Sequence, residues 1–175
     1  MAAPTTAATP AAVTSPSASR FWLLAAAAAC AAGVIVCDVP LPSVDAVFSC
    51  VPELPETARV FAEKFCPGPV TLVVPDGSGS TFGFRIPDHP FILKLLKTYG
   101  KPLASTSANL SGVPAALSVA DALKTIDGTP EVVVDAGVLP SDSKASTVIL
   151  VNADSTWKIL RPGPVTEEAL KKALA

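Results

Sequence analysis

The distribution of apolar residues divides the chain near residue 50. Residues 1–19 are almost entirely Ala, Thr, Ser and Pro without a charged side chain, and residues 21–37 are continuously apolar or small. A segment of the first kind cannot bury enough apolar surface to fold alone. After residue 50, apolar side chains recur at the spacings of helices and strands. We therefore expect an N-terminal segment over residues 1–50 and a folded domain over residues 51–175.

Four stretches of the domain have the spacing of amphipathic helices. The first covers residues 55–65 and places four apolar side chains on one stripe: Leu54, Ala58, Phe61 and Phe65. The second begins at His89-Pro90 with Asp88 as its cap, ends at Gly100 and would bury Ile92, Leu95, Leu96 and Tyr99. The other two run from Ser118 to Ile126, with Asp121 at capping-box spacing, and from Thr166 to Leu174.

Six short segments predict strands: residues 70–74, 80–86, 102–106, 131–135, 146–151 and 157–160. Segment 70–74 is apolar and β-branched, which is typical of a strand buried on both faces. In segment 80–86, Phe82 and Phe84 alternate with Gly83 and Arg85, so one face belongs to the core and the other meets water or a ligand. Residues 41–50 are interpreted as a loop or a short edge strand. Because strands and helices alternate irregularly, we expect an α/β fold with an open, twisted, mixed sheet and packed helices.

Composition and charge exclude some classes of function. Thirteen basic and fifteen acidic side chains leave a net charge of −2, which argues against a globally basic nucleic-acid surface but allows a local basic groove. The cysteines Cys30, Cys37, Cys50 and Cys66 are irregularly spaced, and His89 is the single histidine. This pattern argues against a zinc site and a disulfide framework, and it favours free thiols in a reducing compartment.

Three interpretations of residues 1–50 stay open. A transit segment or a disordered tail fits the serine content and the absence of acids before Asp38, although Arg20 is the only basic residue in that stretch. A signal peptide or membrane anchor over residues 21–37 would be short and alanine-rich. The third interpretation is an artefact of gene prediction. We expect no stable membrane association and a cytoplasmic location, with mitochondrion or plastid as the alternative.

Candidate chemistry is concentrated in one loop and at the ends of two strands. The loop Ser105-Thr106-Ser107-Ala108-Asn109-Leu110-Ser111-Gly112 offers hydroxyls, an amide and a glycine turn, which can hold phosphate or carboxylate oxygens. Arg85 and Arg161 lie at the ends of two predicted strands, Arg85 before Ile86-Pro87 and Arg161 directly before Pro162. Guanidinium groups match those anions. Together with Ser146 they suggest an anionic ligand. The alternatives are an ordinary Ser-rich turn and structural salt bridges.

Five motifs occur in a recognisable order. They are Pro67-Gly68-Pro69-Val70-Thr71, Phe84-Arg85-Ile86-Pro87, the loop from Ser105 to Gly112, Ser146-Thr147-Val148-Ile149, and Leu160-Arg161-Pro162-Gly163. This series resembles the YrdC-like family of threonylcarbamoyl-AMP synthases over about residues 51–166. The resemblance implies a YrdC-like open sheet and a nucleotidyltransferase. Its activity would join L-threonine, bicarbonate and ATP into threonylcarbamoyl-AMP and pyrophosphate, for modification of adenosine 37 in tRNA.

The resemblance also implies the site residues and the partners. Thr81, Ser105, Ser107 and Arg161 would contact ATP. Arg85 would meet the threonine carboxylate, Asn109 would orient the ligand, and Ser146 would contact threonine or the nucleotide. Mg²⁺ is expected on the triphosphate, and no protein metal site is implied. A downstream tRNA-modification transferase would use the product, and the family's concave basic face can hold double-stranded RNA.

Two motifs of the family are not found in this sequence. They are a Pro-Thr-x-Thr-x-Tyr-Gly-Leu stretch and a Lys-x-Arg-Pro motif, and residues 21–50 contain no lysine. The alternative function is therefore a catalytically inactive or truncated YrdC-like module that binds double-stranded RNA or a nucleotide. A third hypothesis is a relative that forms a carbamoyl-adenylate, in which the same fold would be one domain of a larger enzyme.

Overall fold

One mixed sheet organises the part of the chain that the computed structural model describes, which is residues 39–101, 103–105, 108, 114–126, 128 and 130–175. Its strands are β1 (Val39–Pro40), β2 (Val70–Pro75), β3 (Thr81–Arg85), β4 (Thr147–Val151) and β5 (Trp157–Arg161), in the order β1-β3-β2-β4-β5. The pairs β1–β3 and β2–β4 are parallel, whereas β2–β3 and β4–β5 are antiparallel. The predicted α/β class with a mixed sheet is confirmed.

Five helices accompany the sheet within the same residues: α1 (Val44–Cys50), α2 (Glu56–Phe65), α3 (Pro90–Tyr99), α4 (Val119–Thr125) and α5 (Glu167–Ala173). The predicted caps of α4 and α5 are confirmed, because the side chains of Ser118 and Thr166 accept hydrogen bonds from backbone N–H groups. The predicted cap of α3 is wrong, since His89 takes the N-cap position instead of Asp88 and makes no side-chain bond. Pro90 at the start of α3 presets the helical φ, so the helix begins without a side-chain cap hydrogen bond.

One hydrophobic core fills the space between the helices and one face of the sheet. The strands contribute Val70, Leu72, Val74, Phe84, Ile149 and Val151, and the helices contribute Val47, Ala58, Phe61, Ala62 and Leu170. The ring of Phe61 meets Trp157 edge to face, with 5.5 Å between the ring centroids. Burying each large apolar side chain contributes about 1.5–3 kcal/mol, so this core supplies most of the stability.

The segment before Val51 packs with this core. Leu41 and Val47 are buried in it, and residues 44–50 form α1 with a cap bond from the Ala46 N–H to Ser43. The prediction of a loop or edge strand over residues 41–50 is therefore wrong for the helical part. The division of the chain at residue 50 stays a prediction, because residues 1–38 lie outside the described ones. Among the described residues, no helix has the length and apolarity needed to cross a membrane.

Three predictions between residues 90 and 140 are corrected by the structure. Helix α3 buries only Leu96 fully, whereas Leu95 and Tyr99 of the predicted stripe are exposed. The predicted strand over residues 131–135 is irregular, and Val132 is 79% exposed. Of the strand predicted over residues 102–106, a single bridge at Ser105 is described. Strand propensity reflects packing against neighbours more than the backbone, and residues 131–135 have no such neighbours in the described sheet.

The turn between β2 and β3 is held by one carboxylate. Oδ1 of Asp76 accepts hydrogen bonds from the Ser78 N–H at 2.9 Å, the Ser78 hydroxyl at 2.8 Å and the Ser80 N–H at 3.1 Å. These bonds lower the pKa of Asp76 below its ordinary value. The turn joins the central strand to the strand that carries Arg85, so it sets where that side chain lies.

We expect Asp76→Asn to destabilise the protein at pH 7 and the difference from wild type to shrink as the pH falls below the ordinary Asp pKa of about 3.9. A carboxyl whose pKa is lowered by folding contributes stability above its unfolded pKa, and this contribution is lost as the pH falls through the folded pKa. Urea unfolding at several pH values measures the difference. The exposed Asp142→Asn serves as the control. A difference for Asp76→Asn that stays constant with pH would contradict the assignment.

We expect Phe61→Ala to lower the free energy of unfolding by about 3–5 kcal/mol, because it opens a cavity in the core. Phe61 is fully buried, whereas Phe91 on α3 is 45% exposed. Phe91→Ala removes the same atoms and should cost much less. Urea denaturation of both variants checks this, and similar losses for the two would show that α3 is packed as tightly as α2.

Candidate functional site

The sheet has a second face whose chemistry differs from that of the core face. Paired residues on neighbouring strands lie on the same face, and side chains alternate along each strand. Thr71 pairs with Val148, and Val148 pairs with Arg161. Their neighbours Leu72 and Ile149 belong to the core. Thr71 and Arg161 therefore share the face that points away from the core.

Strand β3 extends this second face with further polar side chains. Thr81 pairs with Pro75 and Gly83 pairs with Val73, so the alternation puts Thr81 and Arg85 on the same side as Thr71. Ser146, two residues before Val148, also belongs to it. We call this surface the polar face, defined by Thr71, Thr81, Arg85, Ser146 and Arg161. The predicted separation of β3 into a core side and a ligand or solvent side is confirmed for Phe84, which is fully buried.

A β-bulge directs Arg161 to the polar face. Ile149 pairs with Ile159, but Val148 pairs with Arg161, so Leu160 is the extra residue on β5. Bulges increase the local twist and re-aim side chains. The sequence predicts that this strand ends at Leu160, and periodicity alone does not reveal the extra residue. In a regular ladder, Leu160 instead of Arg161 would lie opposite Val148.

Arg161 and Ser146 are joined by three hydrogen bonds. The Nε of Arg161 donates to the Ser146 carbonyl oxygen at 3.2 Å, and Nη2 donates to that oxygen and to Ser146 Oγ, each at 3.0 Å. A guanidinium has five N–H donors, so the two on Nη1 remain for a ligand. In the described part of the chain, no carboxylate forms an ion pair with Arg161. Its positive charge is therefore held in place but not neutralised, which suits an anionic ligand.

Thr71 completes this cluster from the central strand. Its Oγ1 lies 2.8 Å from Ser146 Oγ, and the two residues are 2% and 7% exposed. Sequence reasoning names Ser146 and Arg161 but assigns no role to Thr71. The available signal is that Thr71 is the single hydroxyl within an otherwise apolar strand.

Backbone contacts hold the strand ends that carry these side chains. The Gly68 N–H donates to the Ile86 carbonyl oxygen at 2.9 Å, and the Thr147 N–H donates to the Pro69 carbonyl oxygen at 2.9 Å. The Pro67-Gly68-Pro69 segment thus connects the end of β3, beside Arg85, to the start of β4, beside Ser146. A Cβ atom on Gly68 would overlap the Phe65 carbonyl oxygen, so this connection requires glycine.

The structure brings some of the predicted site residues together and separates others. Arg85 is half-buried on β3, three strand spacings or about 14 Å from Arg161. Thr81 is exposed at the other end of β3, about 13 Å from Arg85. Ser105 is partly buried in its single bridge, and the predicted positions Ser107 and Asn109 lie outside the described residues. If Thr81 and Arg161 contact one ATP molecule, that ligand must span on the order of 20 Å.

Comparisons with known proteins match this chain to one protein family. A family model for Sua5, YciO and YrdC proteins, described as "Telomere recombination", matches residues 38–163. The threonylcarbamoyl-AMP synthase of Bacillus subtilis is 32% identical over 130 residues, which cover 69% of this chain and 37% of that protein. A putative threonylcarbamoyl-AMP synthase of Mycobacterium tuberculosis is 33% identical over 130 residues, which cover 69% of this chain and 58% of that protein. The chain thus spans 37% and 58% of these two relatives.

The fold comparison points to the same family. The crystal structure of Pyrococcus abyssi Sua5 complexed with L-threonine superposes with a TM-score of 0.69 at 30% sequence identity. The match covers 79% of this chain and 43% of that one. The resemblance to YrdC-like proteins and their open sheet is confirmed.

We expect Gly163→Ala to destabilise the protein by about 1–3 kcal/mol through overpacking. A Cβ atom on Gly163 would lie 2.5 Å from the Thr147 nitrogen and 2.7 Å from the Ala145 carbonyl oxygen, on either side of Ser146. Both contacts are with backbone, which cannot move aside as a flexible side chain can. The exposed neighbour Pro164→Ala is the control. Equal urea-unfolding free energies for Gly163→Ala and wild type would contradict this expectation and would show that the backbone at the start of β4 can shift at little cost.

Proposed function

Because this chain belongs to the Sua5/YciO/YrdC family, we propose that it synthesises threonylcarbamoyl-AMP from L-threonine, bicarbonate and ATP and releases pyrophosphate. The observation that carries this proposal is the un-neutralised Arg161 guanidinium held against Ser146 on the polar face. Both organic substrates carry anionic groups, the carboxylate of threonine and the triphosphate of ATP, and a fixed guanidinium can bind either one. The relatives that are named threonylcarbamoyl-AMP synthases support the same proposed activity.

The placement of the two arginines suits a ligand with two anionic ends. Arg85 would bind the threonine carboxylate, and Arg161 would bind phosphate oxygens about 14 Å away across the sheet. Ser146 contacts Arg161 directly, so we place Ser146 where the amino-acid and nucleotide parts meet. There the threonine amine would attack the bicarbonate carbon, water would leave, and a carbamate oxygen would then attack the α-phosphorus. The bond from the α-phosphorus to the bridging oxygen breaks, and pyrophosphate leaves with that electron pair.

This chemistry depends on positioning and charge neutralisation more than on a general base. Mg²⁺ would arrive on the triphosphate as part of the substrate and would neutralise phosphate charge. The described residues contain no group of three His, Cys, Asp or Glu side chains that could hold a metal. The protein's own contribution would therefore be the arginines and hydroxyls of the polar face. Ser105, Ser107 and Asn109 would add contacts from their loop.

The product would be passed to a transferase that modifies tRNA. The protein would act in the cytoplasm, or in a mitochondrion or plastid if residues 1–50 direct it there. Double-stranded RNA binding without catalysis is the competing function. Its affinity would fall steeply with salt, because it would depend on released counterions.

Pyrophosphate release by the purified full chain tests the proposed activity. The assay contains ATP and Mg²⁺, with threonine and bicarbonate supplied together, singly or not at all. The proposal expects release only when both are present. A folded, monodisperse sample that releases no pyrophosphate but binds RNA in a salt-sensitive way would favour the competing function.

We expect Arg161→Ala to lower kcat/KM for ATP by about 100-fold or more, because a positioned donor to developing negative charge is lost. Arg85→Ala should instead raise the KM for threonine. Arg59→Ala is the matched control, since Arg59 lies on α2, away from the polar face, in an exposed pair with Glu56 at 3.8 Å. Unchanged ATP kinetics in folded Arg161→Ala would remove Arg161 from the site.

A further inference from the structure

The hydroxyls of Thr71 and Ser146 share one hydrogen bond but carry two protons. The oxygens are 2.8 Å apart, and either one can be the donor. Apart from each other, the two hydroxyls have no proton acceptor among the described residues, and the additional contact of Ser146 Oγ is a bond that Arg161 donates. One of the two protons therefore remains for a group outside the pair. Which proton it is decides what Ser146 can recognise.

The burial of Thr71 favours one of the two arrangements. If Ser146 donated to Thr71, the Thr71 proton would have no acceptor at a residue that is 2% exposed. Leaving a buried donor unpaired is unfavourable, at roughly the free energy of a whole hydrogen bond or more. If Thr71 donates instead, Ser146 Oγ accepts from Thr71 and from Arg161 Nη2. Both lone pairs of Ser146 Oγ are then occupied, and its own proton points away from the pair.

We propose that Thr71 is a positioning residue that makes Ser146 a hydrogen-bond donor only. The ligand atom beside Ser146 must then be an acceptor, and an anionic oxygen is the best one, because Arg161 adds positive charge at the same place. An amine or another donor is rejected there, since no lone pair of Ser146 is free. The inference rests on the proposed function only for the source of that oxygen, which is the carboxylate of threonine or a phosphate of ATP.

The choice of acceptor gives Thr71 a signature that a merely structural residue lacks. Without the Thr71 hydroxyl, Ser146 Oγ regains a free lone pair, and the hydroxyl can turn to donate or to accept. Discrimination between ligands with and without an anionic oxygen should then fall. L-threoninol tests this, because it keeps the amine and the hydroxyl of threonine and lacks the carboxylate.

The experiment compares Thr71→Val, which keeps the shape without the hydroxyl, with Thr71→Ser, which restores the hydroxyl. Calorimetric titrations of the full chain with L-threonine, L-threoninol and Mg²⁺-ATP give the three dissociation constants separately. One of the two ligands, threonine or ATP, has the oxygen that contacts Ser146. We expect Thr71→Val to weaken the binding of that ligand by about 10-fold, and we expect Thr71→Ser to restore the affinity. If threonine is that ligand, the ratio of the threoninol dissociation constant to the threonine dissociation constant falls by a similar factor. Thr57→Val is the control, because Thr57 is buried on α2 and lies outside the polar face.

Two binding results would overturn the proposal. In one, Thr71→Val binds every ligand as wild type does. In the other, it weakens all of them to the same extent as Thr57→Val. Wild-type protein that binds neither threonine nor ATP would refute the proposed function. The Thr71–Ser146 pair is then tested by the melting temperatures of ligand-free variants.

The melting temperatures of Thr71→Val, Ser146→Ala and the double variant provide that ligand-free measurement. If Thr71 donates to Ser146, then Ser146→Ala leaves the buried Thr71 proton unpaired. Adding Thr71→Val removes that proton, so the double variant should melt at or above the temperature of Ser146→Ala. Additive losses in the double variant would show that the two hydroxyls are not energetically coupled, and the proposal would be wrong.

Discussion

Strand β2 is the element on which the other strands depend, because both of its faces are buried. Val70, Leu72 and Val74 enter the core on one side, while Thr71 and Val73 lie on the other. Both of its neighbours, β3 and β4, take their register from this strand. A slip of one residue would exchange the two faces and would put Thr71 into the core. The same alternation therefore stabilises the fold and brings a buried hydroxyl to the polar face.

The polar face also requires close backbone approaches at the ends of the strands. Gly68 and Gly163 lie where a Cβ atom would collide with main-chain atoms, beside the start or end of the strands that carry Arg85 and Ser146. Their contribution is to let the Pro-Gly-Pro segment and the turn after β5 approach the start of β4. Ser146 directly precedes β4, so this approach also helps to hold it beside Arg161, which donates three hydrogen bonds to it.

The parts of the fold that could be predicted from the sequence are those with a strong local pattern. The apolar run of β2, the alternation of β3 and the stripe of α2 are each complete within a few residues. Burial agrees with the pattern for β2, for Ala58 and Phe61 of α2 and for Phe84 of β3, whereas Phe82 is only half-buried and Gly83 is buried. Residues 131–135 have an equally strong β-branched composition but form no strand, because strand formation requires a neighbouring edge. In the candidate site, the motifs predict Arg85, Ser146 and Arg161, and the structure places all three on the polar face. The role of Thr71 could not be read in this way, because its partner Ser146 is 75 residues away and the bulge at Leu160 has no periodic signature.

Net charge also says little about this site, because the charges that matter are few and local. On the helices, Arg59, Lys124 and Lys171 face Glu56, Asp121 and Glu167 in exposed pairs that cancel one another's fields. Arg161 is held instead by a carbonyl oxygen and a hydroxyl, which fix the guanidinium without opposing its charge. A positive potential can therefore persist on one face of a protein whose net charge is −2. Because neutral oxygens hold Arg161, an anion that bound this guanidinium, as the proposed function requires, would not have to displace a carboxylate.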